Sequence, residues 1–286
     1  MLVITLILSI ISSVVVWQSY ARATRSSRSD GALTALYQII AGITVLIFIP
    51  FEELRMTLDW KIWILFATAC IFYAINDRLM TGVYRNLPTA QVSVLKQLSS
   101  VFVILIGLMV FKEPFSVKNI IAAAIIIVGN IIILYERKNG EGVRRRRWLY
   151  ITLGVIASIS MSIALSLDIN ISSHYNLAIY GALSLIMPSI IIIVGDRSFK
   201  LKNLKDEFIE GDKKAILIAS IAQGVQIFTM LKSYQLGRVI IVAPLLALSV
   251  LVNALYELFI LKEKSKWKVK ILVSIMIFVA VIMISM

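Results

Sequence analysis

The stretch Val92-Ser93-Val94-Leu95-Lys96-Gln97-Leu98-Ser99 has a counterpart 150 residues later, Val242-Ala243-Pro244-Leu245-Leu246-Ala247-Leu248-Ser249. The register continues beyond it. Leu105 matches Leu255, Leu108 matches Leu258, the pair Lys112-Glu113 matches Lys262-Glu263, and Lys118 matches Lys268. Both copies sit in long apolar runs, so the repeated unit reads as a helix with the turn that follows it.

The rest of the chain has the same character. Of 286 residues 59% are apolar and 16% charged, with mean hydropathy +0.91. Soluble domains are about a quarter charged, so too few polar residues are present to coat a water-exposed surface, and the solvent is lipid. A span needs about 20 mostly apolar residues. Ten stretches qualify: Leu2–Tyr20, Leu33–Phe51, Trp60–Gly82, Pro88–Phe111, Val117–Tyr135, Trp148–Leu167, Asn176–Val194, Lys214–Gln235, Val239–Leu261 and Val269–Ser285. A β-barrel is excluded because runs such as Ile120–Leu134 are continuously apolar, where barrel strands alternate. Trp17, Trp60, Trp63, Trp148 and Trp267, with Tyr20, Tyr135 and Tyr150, fall near span ends, as an interfacial aromatic belt does. The first stretch reads as a retained helix and not a signal peptide, because Arg22, Arg25 and Arg28 follow it and no basic region precedes it.

The net charge of +13 does not point to nucleic acid, since the basic residues are divided among short segments between spans. Of the 28 lysines and arginines other than Lys96, 22 lie after spans 1, 3, 5, 7 and 9 and six lie in the remaining loops. Short basic loops stay cytoplasmic, so the odd-numbered loops are expected inside and both termini outside. The run Arg144-Arg145-Arg146-Arg147 is the strongest anchor of this orientation. Ser198–Lys214 alternates Phe199, Leu201, Leu204, Phe208 and Ile209 with lysines and acids, which predicts an amphipathic helix on the cytoplasmic surface.

Five spans per copy place the second copy upside down relative to the first. The expectation is an all-α membrane protein of ten transmembrane helices, two inverted five-helix repeats (residues 1–138 and 139–286) around a central cavity. Inverted repeats are a plan of secondary transporters. The segment Asn86-Leu87-Pro88-Thr89-Ala90, a helix to Val110-Phe111-Lys112-Glu113-Pro114, and an apolar helix with Gly129 together resemble the EamA half-domain. That half-domain marks a branch of the drug/metabolite transporter superfamily. The second copy shows Leu236-Gly237-Arg238, Val242-Ala243-Pro244-Leu245 and Ile260-Leu261-Lys262-Glu263-Lys264. Two departures stand out. Ser99-Ser100 occupy the place of the family's mid-helix proline, and several members are drawn with cytoplasmic termini. Glu113 and Glu263 read as turn elements and not as functional carboxylates.

Polar stripes pick out spans 1, 3, 4, 6, 8 and 9, the set that lines the family's cavity; spans 2 and 7 are weakly polar and 5 and 10 featureless. Substrate-binding candidates are Lys96, Gln97, Ser93 and Ser100 on span 4 and Tyr73 and Asn76 on span 3. Gln223 on span 8, Asn253 on span 9 and Ser162 on span 6 complete them. Serines on such stripes serve either a ligand or close helix packing. Lys96 lies about eight residues into its span, where a lysine costs roughly 2.5–3.5 kcal/mol. Three readings are open for it: contact with a substrate or coupling ion, an ion pair inside the bundle, or snorkelling to the interface. The resemblance implies the first, because the related phosphate-translocator branch holds its anionic substrate with a lysine at this place. Glu257 and Asp77 are coupling or gate candidates; snorkelling for Glu257, and a local pair with Arg78 for Asp77, are their alternatives.

The expected function is secondary transport of small polar metabolites, amino-acid or carboxylate-like, across the cell membrane by alternating access in the export direction. Protons are a candidate drive, since no phosphate-cradling loop is present. A multidrug exporter and a non-transporting scaffold are the alternatives. Membrane lipids and a small substrate are the expected partners, without nucleic acid. An enzyme is not expected. The chain has no histidine in a span and no Gly-x-Ser-x-Gly elbow. No cofactor or metal is expected either, because Cys70 and His174 are single.

Overall fold

The computed structural model describes residues 1–110, 141–195, 201–237, 239–262 and 267–285, and between them the single helical positions 121, 125, 128 and 132. Among these residues there are ten α-helices and no strand: α1 (Leu2–Ser26), α2 (Asp30–Leu46), α3 (Trp60–Asn86), α4 (Thr89–Val110), α5 (Glu141–Ile171), α6 (Leu177–Gly195), α7 (Leu201–Glu210), α8 (Lys213–Leu236), α9 (Val239–Phe259) and α10 (Trp267–Ser285). Five segments are long and apolar enough to cross a membrane: α1, α3, Arg147–His174 (most of α5 with the 3-10 turn Ser172–His174 after it), α6 and α8. At ~1.5 Å per residue, even the 19 residues of α6 nearly match a hydrocarbon core of about 30 Å. α2 and the stretches Val94–Val103, Leu248–Phe259 and Ile271–Ala280 are apolar but shorter. Of the expected fifth span, Val117–Tyr135, only those four helical positions are described, and Glu113 and Glu263 lie outside the described residues. The run Arg144–Arg147 falls in the first turns of α5.

Helix starts follow the short polar side chains. Ser29 Oγ accepts from Ala32 N at 3.3 Å to cap α2, and Asp59 Oδ1 accepts from Lys61 N at 2.9 Å to cap α3. Asp212 Oδ1 accepts from Ala215 N at 3.0 Å to cap α8. Asn176 caps α6 through Ala178 N and Ile179 N, while its Nδ2 donates to the carbonyls of Glu52 and Glu53, tying two loops together. These caps satisfy N–H groups that a helix start leaves open. Lys262, just past α9, has φ 54°, which fits the expected turn there.

Lipid tails are as apolar as leucine, so these helices hold together by close packing and interhelical bonds. α1 packs along α8 and α3 along α5; α4 packs on α5 and α9 on α1; α8 packs on α2 and α6 on α3; α2 packs on α6. Glycines permit the closest approaches. A Cβ on Gly224 of α8 would meet Ala41 O of α2 at 2.7 Å, and one on Gly42 of α2 would meet Ile186 Cγ1 at 2.6 Å. Among the described residues one apolar cluster surrounds Tyr20, Tyr37, Tyr84 and Leu95, another Phe66, Tyr175, Tyr180 and Phe228, and a smaller one Ala69, Tyr73 and Ala164.

The amphipathic segment is a helix, α7, but it does not simply lie on the surface. Glu207, only 2% exposed, accepts from Arg28 N at 3.1 Å and Ser29 N at 3.2 Å, so α7 docks on the turn between α1 and α2.

Candidate functional site

A cavity of about 130 Å³ lies inside the bundle, with walls from α1, α2, α3, α4, α5, α6, α8 and α9. Three charged side chains reach it: Asp77 from α3, Lys96 from α4 and Asp168 from α5. Asp77 Oδ2 accepts from Gln38 Nε2 at 2.6 Å, and Oδ1 accepts from Asn76 Nδ2 at 2.8 Å. Lys96 Nζ lies 5.5 Å from the centroid of the Tyr84 ring, within the range of a cation–π contact, and is coupled electrostatically to Asp77. Asp168 accepts the hydroxyls of Tyr73 and Tyr180, one on each carboxylate oxygen. Across the cavity Gln223 Oε1 accepts from Tyr37 Oη at 2.6 Å.

The sequence candidates therefore separate. Lys96, Asp77, Asn76, Tyr73 and Gln223 all line the cavity. The local pair expected for Asp77 is absent, because Arg78 turns to Asp30 at 3.7 Å and Asp77 turns inward to the two amides. Ser162 does not line the cavity. Its Oγ donates to the carbonyls of Ser99 and Ser158, next to Ser158, whose Oγ donates to Leu95 O at 2.6 Å. This stripe is mainly a seam between α5 and α4, where an interhelical bond contributes about 1 kcal/mol. Asn253 and Glu257 also stand away from the cavity. α9 packs on α1, and Gln18 Nε2 donates to Asn253 Oδ1 at 2.8 Å and to Glu257 Oε1 at 3.4 Å. Glu257 is 2% exposed, so it does not snorkel. Ser93, Gln97 and Ser100 lie on α4 with side chains outside the described residues.

Asp168 is the residue the sequence reading missed. The sixth span was ended at Leu167, but α5 runs on to Ile171 and carries Asp168 inside, 2% exposed. Its counterpart at the offset of 150 is Gln18, also polar within a span, and that pairing was the available signal. Spans 2 and 7, read as weakly polar, also contribute: Gln38 and Ser184 line the cavity.

A second cavity, of about 630 Å³, opens at the end of the bundle that holds Glu52, Arg55, Ser172 and Lys232. Leu231 and Tyr234 line both cavities, so these two side chains form the partition between them.

The model of the EamA-like transporter family matches residues 1–135, so the resemblance read from the sequence holds over the first half of the chain. No curated protein matches. A solved structure described as "Crystal structure of protein" has a TM-score of 0.61 at 12% identity, covering 96% of this chain and 95% of that one, which shows a shared fold over the whole length.

Proposed function

We propose that the whole protein is a ten-span secondary transporter of small polar metabolites, because residues 1–135 match the EamA-like transporter family and five segments are long and apolar enough to cross a membrane. Its two halves, residues 1–138 and 139–286, are inverted repeats that exchange conformations around the central cavity, by alternating access and in the export direction. The helix packing supports this reading. Replacing each span by the one five places on turns α1–α8 into α5–α3, α4–α5 into α9–α1 and α2–α8 into α6–α3, and returns α2–α6 to itself. The bias of basic residues supports odd-numbered loops in the cytoplasm.

The single observation that carries the substrate class is Lys96 in the cavity wall, deep in a span and surrounded by hydroxyls and amides. A compact ammonium here suits an amino acid or another carboxylate. Gln38 Oε1 and Gln226 Oε1, from two lining residues, are buried without a hydrogen-bond partner and can accept from polar cargo. A second reading has support in Asp168, Tyr73 and Tyr180, an acidic and aromatic wall that suits a multidrug exporter of cationic compounds. An uptake and export panel of amino acids, carboxylates and cationic dyes, run in cells with and without the protein, separates the two. Lys96→Met should drop carboxylate transport at least tenfold with normal folded yield, and Lys96→Arg should rescue it poorly. Wild-type transport by Lys96→Met would remove the residue from the site, and dye transport alone would select the second reading.

A further inference from the structure

We propose that Asp168 is the proton-binding site that couples transport to a proton gradient, with Tyr73 and Tyr180 as the partners that hold it in both charge states. The proposal rests on the transporter reading for its purpose and on the local geometry for its chemistry.

Asp168 lies where three helices meet. Its carboxylate is on α5, Tyr73 is on α3 and Tyr180 is on α6. As an ion it accepts both hydroxyls. A hydroxyl can donate or accept, so the trio also suits the acid. When a proton from water joins one carboxylate oxygen, that O–H must donate. One tyrosine oxygen then accepts, and its own proton turns away from Asp168. One O–H bond of a hydronium ion breaks, leaving water, as the new one forms; nothing is oxidised, and the proton returns to water on the other side of the cycle. The hydrogen bonds tying α5 to α3 and α6 are rearranged by that single proton, which links its binding to helix packing.

The other carboxylates do not offer this. The partners of Asp77 are the N–H₂ groups of Gln38 and Asn76, which only donate. They satisfy Asp77 as an ion, and a protonated Asp77 would need an amide turned over. Glu257 is off the cavity, between α9 and α1. Charge balance points the same way. Lys96 and Asp77 carry opposite charges and are coupled, and Asp168 is the remaining carboxyl in the described lining. An ion at membrane depth is costly unless it is paired or neutralised. The groups that face Asp168 are Tyr73 and Cys70 from α3 and Tyr180 from α6; Asp77 of α3 and Lys96 of α4 are in the same cavity wall. None of the described ion pairs includes Asp168. A route to water is close, since the larger cavity reaches Ile169, the next residue.

Two measurements on the full chain in lipid test the proposal. The first is infrared spectroscopy of protein carrying ¹³C-aspartate, which needs no cargo. A carboxylic C=O band should appear and fade with pH, vanish in Asp168→Asn, persist in Asp77→Asn and change frequency in Tyr73→Phe and Tyr180→Phe. A band untouched by Asp168→Asn overturns the proposal and leaves the transporter reading intact. A normal band with no transport of any panel compound overturns the transporter reading instead. The second uses proteoliposomes and labelled mixed amino acids. Asp168→Asn should lose the stimulation by an imposed pH gradient, read as the ratio of transport rates with and without the gradient. A ratio unchanged from wild type overturns the proposal. Asp168→Glu, which keeps a titratable group, should retain part of the response and guards against a folding defect in Asp168→Asn.

Discussion

The two ends of the bundle are closed by different means. At the end that gathers the arginines, the rings of Tyr20 and Tyr37 lie 4.3 Å apart and Tyr84 meets Tyr20 edge-on at 5.2 Å. Tyr20 Oη and Thr81 Oγ1 share a hydrogen bond of 2.7 Å, and Arg85 donates to the carbonyls of Thr24 and Ser27 and pairs with Asp30. Arg85 thereby satisfies carbonyls at a helix C-terminus, where a cation is favoured. At the other end a cavity of about 630 Å³ enters the molecule, with the Lys232–Glu52 pair at 2.7 Å in its wall. Among the described residues, only Leu231 and Tyr234 are shared between it and the central cavity. The lesson is that cations serve two purposes here. Arg85, at the arginine-rich end, ties helix ends together, while Lys232 borders an opening.

Three measurements break or sharpen this comparison. The largest outcome is all-or-none. A reporter fused after Met286 should be exposed outside the cell, which would put the sealed, arginine-rich end in the cytoplasm; a cytoplasmic reporter sinks that orientation. Next, stability should respond unequally to damage at the two ends. Tyr20→Ala removes a 4% exposed ring from the sealed end and should cost about 3–5 kcal/mol in unfolding in lipid or detergent. Lys232→Met breaks a pair that keeps 20% and 11% side-chain exposure and should cost about 1 kcal/mol. Equal losses would show that the open end is as tightly built as the sealed one.

The smallest effect is in the cap of α8. Donation from Ala215 N, with Arg22 beside it, holds the Asp212 carboxyl below its usual range. A carboxylate depressed in the folded state stabilises above its unfolded pKa, and that contribution disappears as pH falls through the folded value. Asp212→Asn keeps a capping side chain, so the variant should be less stable than wild type by under about 1 kcal/mol at neutral pH. The difference should close below about pH 4. A difference that persists in acid would assign the effect to cap geometry and not to charge.

Five of the candidate side chains, on three different helices, reached the cavity because deep polar groups in an apolar span have few places to go. Ser162 had an alternative that no spacing pattern can distinguish, since a small hydroxyl fits a helix seam as well as a cavity wall. Glu257 found Gln18 on the facing helix and Asn253 one turn back on its own, so the helix-end position that suggested snorkelling did not decide its exposure. Asp168 was hidden by a span boundary set four residues short of the helix end Ile171.

Sequence by itself determined the apolar, helical character of the chain, the five segments long enough to cross a membrane, and the short polar residues that cap helix starts. Each of these depends on local composition: apolar runs must avoid water, and short polar side chains must meet open N–H groups within one turn. Tertiary structure decided which polar stripes meet one another. Helical periodicity defines a face on each helix and says nothing about the face opposite. The union of Asp168 with Tyr73 and Tyr180, and the burial of Glu257 against α1, followed only from how the helices pack.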